Sequence, residues 1–159
     1  MLRVDIRDLQ RGPVRTEGQL EPGDPVFEGL ELGLAGPVVV SGQLQATGDG
    51  EYLWRGHVQG VVRGECRRCL SEVVDELDID VGAAVFSSDP EAAEDPDFYP
   101  LAERATSVDV TEVVREELAL AGQPDLMLCR DDCAGLCAKC GADLNAGPCA
   151  CHTTPAEPV

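Results

Sequence analysis

Eight cysteines carry the chemistry this sequence offers: a pair, Cys66-Arg67-Arg68-Cys69, and a tail cluster of Cys129, Cys133, Cys137, Cys140, Cys149 and Cys151. Four thiolates close a tetrahedral structural zinc site, so eight make two complete sets if the fold brings the pair to the tail. Cys137-Ala138-Lys139-Cys140-Gly141 has the spacing of a knuckle. Two intervening residues let both sulfurs face one ion, and the following glycine can take the left-handed backbone that turns amides toward sulfur. Cys66 and Cys69 share the gap but precede Leu70, a weaker knuckle by the same logic. Cys149-Ala150-Cys151, read as extended, presents both thiolates on one side and suits the 137/140 knuckle. Cys129 and Cys133 are four apart, so one helical turn aligns them as partners for Cys66 and Cys69.

This spacing predicts one site from Cys66, Cys69, Cys129 and Cys133, and a second from Cys137, Cys140, Cys149 and Cys151. About 35 divisions of eight ligands into two fours exist, and spacing ranks them without excluding the rest. An exchange of Cys133 for Cys137 stays open, as does His152 in place of a thiolate. Zinc is the default ion by donor chemistry, and iron also suits four thiolates. Disulfides are disfavoured: Met1-Leu2-Arg3-Val4-Asp5 has charges where a secretory leader needs an apolar run, so a cytoplasmic location with reduced thiols is expected. A redox role for Cys66 and Cys69 fits poorly with a pair set between strands and not at a helix start.

The elements that must position these cysteines read as an α+β fold: a mainly antiparallel β sheet with one C-terminal helix and a cysteine-rich zinc-binding tail. Leu2, Val4 and Ile6 alternate with charged residues, the period of a half-buried strand that Gly12-Pro13 ends. Residues 17–36 read as turn-rich, with a short strand at 30–34. Strands then span Val38–Ala46, Tyr52–Arg63 and Val73–Phe86; Gly48-Asp49-Gly50 turns the first hairpin, and the Cys66 pair caps the second. Residues 87–107 read as an acidic solvated connector. Asp109 with Glu112 has capping-box spacing and opens a helix over 109–121, apolar at Val110, Val113, Val114, Leu118 and Ala121, stopped by Gly122 and Pro124. Leu126, Met127 and Leu128 then deliver the chain to Cys129. The organisation expected is a β domain over 1–128, a zinc segment over 129–151 packed back on the 66–69 tip, and a disordered tail over 152–159.

Among these residues, Cys66-Arg67-Arg68-Cys69-Leu70 between strands, Asp109 opening a helix with Arg115-Glu116-Glu117-Leu118-Ala119-Leu120, and Cys129-x3-Cys133-x-Gly135-Leu136-Cys137-x2-Cys140-Gly141-x-Asp143-Leu144-Asn145 resemble the YceD family. The resemblance is firm over 58–151 and weaker over 1–50; the pair Cys149-x-Cys151 followed by His152 departs from it. It implies a part in large-subunit ribosome biogenesis, with accumulation of 23S rRNA, and does not imply a catalytic role.

Charge sharpens the partner. The formal net charge is −18, and residues 71–128 carry 16 acids against 2 bases. Such a field disfavours broad nucleic-acid binding and favours a basic partner, here a large-subunit ribosomal protein or basic assembly factor. The alternative is direct contact with rRNA through Arg63, Arg67 and Arg68 at the first knuckle. No enzyme is expected: phosphate-binding glycine loops and the Gly-x-Ser-x-Gly elbow are missing, His57 reads as a partly exposed strand residue, and a tetrathiolate site leaves no open position for substrate. Neither a membrane partner nor a small-molecule substrate is expected, since no apolar run approaches the roughly 20 residues of a span.

Overall fold

The computed structural model describes residues 1–123 and 127–151 and the backbone of 152 and 153. In chain order the elements are β1 (Arg3–Asp5), α1 (Ile6–Leu9), β2 (Val14–Leu20), β3 (Val38–Gly48), β4 (Glu51–Glu65), β5 (Glu72–Ser87), β6 (Phe98–Pro100), β7 (Ser107–Asp109), α2 (Thr111–Ala121) and α3 (Ala150–Thr153), with short 3-10 turns at Pro25–Phe27, Pro90–Glu94 and Leu144–Ala146. Strands β2-β3-β4-β5-β6 form one sheet, antiparallel except for the parallel β5–β6 pair, and β1 pairs with β7 apart from it. The α+β class with a mainly antiparallel sheet therefore holds.

One sheet face is built by alternate residues of each strand, and on it Val38, Val40, Leu44, Trp54, Val58 and Phe86 are buried. Val113, Val114 and Leu118 of α2 join the same core, the face expected from their helical spacing. Trp54 is fully buried, and its indole Nε1 donates to Thr16 Oγ1 at 2.9 Å, so the one polar atom of the ring is satisfied. Gly42 and Gly56, cross-strand partners, leave room for that indole: a Cβ on either would lie 2.7 Å or less from a ring atom.

Several expectations change. Ile6 begins α1 and does not extend β1, because the Asp5 carboxylate accepts from Arg7 N and caps a helical turn there. Residues 14–20 form a seven-residue strand across what reads as the start of a turn-rich stretch. Thr16 and Gly18 break its apolar alternation, yet Thr16 serves Trp54 and Gly18 lies against Leu2. Around 30–34 only an isolated bridge, Leu34 to Val62, is made. The acidic connector is more ordered than expected: Pro90–Glu94 buries Ala92, and β6 adds to the edge of the sheet. Asp109 closes β7; the cap position is Val110, and the Asp109 carboxylate accepts from both the backbone and the hydroxyl of Thr111. Pro124, Leu126 and the tail beyond Thr153 lie outside the described residues, as does the side chain of His152.

Hairpin β4–β5 runs well past the main core. At its tip Cys66, Cys69 and Val73 pack with Cys133 in a second, smaller apolar cluster, flanked by Met127, Leu128 and Leu136.

Candidate metal centres

The tip and the tail meet through backbone first. Arg67 N donates to Met127 O at 3.0 Å, which lays the segment after α2 beside the first knuckle and brings Cys129 to Cys69. The knuckle itself is closed by Leu70 N to Cys66 O at 2.9 Å and Cys66 N to Ser71 O at 2.8 Å. The second repeats it residue for residue: Gly141 N to Cys137 O at 2.9 Å, and Cys137 N to Ala142 O at 2.8 Å. Gly141 takes a φ of +73°, and Leu70 takes +62° at the equivalent place. The two turns are therefore the same structure, although only one carries the glycine that makes it legible.

These turns aim amides at sulfur. Burial pushes the Cys66 thiol up, but the amides of Cys129, Cys69 and Arg68 outweigh it and bring the group to about 6. Cys137 also falls to about 6, held by the amides of Cys140 and Lys139. Cys133 is lowered chiefly by the side-chain amide of Asn145. Their neighbours move the other way: burial and the sulfurs of Cys133, Cys69 and Cys66 push Cys129 up to about 12, and the sulfur of Cys140, then burial, pushes Cys151 up to about 12. Like charges crowded this closely cannot all ionise without a cation among them.

Cys66, Cys69, Cys129 and Cys133 form one group and Cys137, Cys140, Cys149 and Cys151 the other, the sulfurs of each within 4.8 Å of one another. This is the division that spacing ranks first, with Cys133 and Cys137 in their expected groups. None of the eight is in a disulfide. Cys66 and Cys133 sulfurs are 3.7 Å apart, and those of Cys69 and Cys129 3.6 Å. A tetrahedral ion with metal–sulfur bonds of about 2.3 Å requires sulfur–sulfur edges of about 3.8 Å, which these two edges of the first group match, and the sulfurs of each group lie close enough together that either could hold a metal ion.

The local routes differ from expectation in two places. Cys129 and Cys133 are joined by a turn, with Cys133 N on Arg130 O at 3.2 Å, not by a helical turn. Cys149 and Cys151 flank the start of α3 and are not extended.

Asn145 offers no thiolate, so cysteine spacing gives it no role, and its place beside Cys133 appears only in the fold. It lies between Cys140 and Cys149, yet its Nδ2 is 3.3 Å from Cys133 Sγ, and its Oδ1 accepts from Ala134 N at 2.9 Å and Arg130 Nη2 at 2.6 Å. Arg68 is used inward, donating to the carbonyls of Asp131 and Cys133 at 3.3 and 3.1 Å. Arg63 pairs with Glu72 at 3.3 Å, and Arg67 is exposed. His57 stands half-exposed on β4 between Asp78 and Asp80, as expected of a strand residue. Among the described residues no helix is long and apolar enough to cross a membrane.

No curated protein and no solved structure matches this chain. The family model described as "Large ribosomal RNA subunit accumulation protein YceD" matches residues 54–159, from β4 through both cysteine groups. The chain thus belongs to the YceD family, whose name implies a role in the accumulation of large-subunit ribosomal RNA.

Proposed function

We propose that this chain is a non-enzymatic factor of large ribosomal subunit biogenesis that supports 23S rRNA accumulation by holding a basic ribosomal or RNA-binding protein on its acidic surface. Both cysteine groups are read as structural zinc sites, all eight cysteines being ligands, and the metal segment over 129–151 as a brace on the β domain. Zinc held by four thiolates would fix the shape of the hairpin tip and offer substrate no coordination position.

The observation that carries the partner reading is a groove of about 550 Å³ between β6 and α2, bordered by Glu94, Asp95, Phe98, Tyr99, Glu112 and Glu116. Its carboxylates attract lysine and arginine, and aromatic faces add cation–π contact. Direct RNA contact through Arg63, Arg67 and Arg68 draws less support, because Arg63 is paired with Glu72 and Arg68 is spent on carbonyls of the tail.

The test is affinity purification of the full chain at low salt, beside the same chain carrying Glu94→Gln, Glu112→Gln and Glu116→Gln. A large-subunit ribosomal protein or basic assembly factor retained by the first, lost from the second and released by salt is the expected result. Recovery of none, together with an unchanged ratio of 23S to 16S rRNA in cells lacking the chain, would overturn the reading.

A further inference from the structure

Hydrogen bonds join the two cysteine groups. Asn145 belongs by sequence to the loop over 141–148, which Cys140 and Cys149 bracket, but its amide lies on a sulfur of the other group. The loop is shaped for this. Asp143 Oδ1 accepts from Asn145 N at 2.9 Å, Leu144 N donates to Gly135 O at 2.9 Å, and Leu136 bridges to Asp143. At the receiving end Asn145 grips Ala134 N and Arg130 on either side of Cys133 while its Nδ2–H points to Cys133 Sγ. An N–H donated to a metal-bound thiolate spreads its charge and fixes its orientation, as outer hydrogen-bond partners do at metal sites generally.

We infer that Asn145 is a positioning residue through which an ion held by Cys137, Cys140, Cys149 and Cys151 raises the affinity of Cys66, Cys69, Cys129 and Cys133 for theirs. The ion anchors both ends of the loop and so holds the amide in place before the other site fills. Linkage is reciprocal, so an ion at the hairpin tip must tighten the tail site by the same factor. This rests on reading both groups as metal sites.

Cobalt(II) titrated into the full apo chain, followed by thiolate-to-metal charge-transfer absorption and competition with a chelator, tests it. Wild type should take up two ions, with the hairpin-tip constant identified by its loss in Cys66→Ser. Asn145→Ala should weaken that constant about 10- to 100-fold. The same substitution added to Cys140→Ser/Cys149→Ser should change it no further, since the loop is already released. Asn145→Asp keeps the acceptor for Ala134 and Arg130 but sets a carboxylate oxygen against the sulfur, so it should bind at least as weakly as the alanine variant, with Trp54 fluorescence reporting an intact sheet. An Asn145→Asp chain that loads like wild type, or an alanine effect that persists undiminished without the tail site, would sink the coupling. A wild type that takes up no ion would remove the metal reading itself.

Discussion

At the scale of single residues, the two knuckles show how much a sequence discloses about a ligand turn. Gly141 marks the second plainly, whereas Leu70 holds the same left-handed conformation at the first and is exposed. A non-glycine residue there costs about 1–2 kcal/mol, which the surrounding sulfur cluster must offset. Gly141→Ala should therefore lower the stability of the metal-loaded chain by about 1 kcal/mol, while Leu70→Gly should leave it unchanged or raised, as read from thermal unfolding. Proton release is predicted with its sign. At neutral pH Cys66 and Cys137, near 6, are largely ionised, and Cys129 and Cys151, near 12, are protonated. An entering divalent ion must expel the latter protons, so affinity falls as pH drops and falls more steeply below about 6; calorimetry in buffers of different ionisation enthalpy measures the count.

At the scale of elements, β2 was hidden and α2 was legible for opposite reasons. The helix declares itself by apolar residues at helical spacing, and Val110, Val113, Val114 and Leu118 reach the core, while Ala121, expected on the same face, is exposed. The strand is held by Thr16, whose hydroxyl makes sense only once Trp54 is placed across the sheet from it. Thr16→Val should cost about 1–3 kcal/mol in urea unfolding, the penalty of a buried indole N–H left without a partner. β6 is joined to α2 by the Tyr99 hydroxyl, which donates to Glu116 Oε2 at 2.6 Å. Burial first, then this bond and the charges of Glu116, Glu117 and Glu112, push the phenol well above its ordinary range. A raised acid group stabilises the fold fully below the unfolded value of about 10 and loses that contribution as pH rises beyond it. Glu116→Gln should bring the Tyr99 ionisation midpoint down part of the way, leaving the burial effect, as followed by phenolate absorbance.

At the scale of the whole molecule, the sheet and the metal segment have separate apolar clusters, one around Trp54 and one around Cys66. Chelation should accordingly expose 129–151 to protease while Trp54 fluorescence stays native-like; simultaneous loss of both would show that the metals support the entire fold. What the sequence determined by itself was the local arithmetic. Cysteine number and gaps, strand alternation, helical periodicity and the crowding of acids in 71–128 are all properties of neighbours along the chain; they gave the fold class and ranked the divisions of the thiols, and the fold chose among those divisions. Only tertiary structure decided which residues act across it. Leu70 takes a glycine's conformation in the turn that Cys66 closes at the hairpin tip, Thr16 belongs to the core because an indole needs an acceptor, and Asn145 leaves its own loop to serve Cys133. Each is fixed by contacts that form only in the folded chain, from a turn at a hairpin tip to partners 12 and 38 residues apart, and chain periodicity carries no record of them.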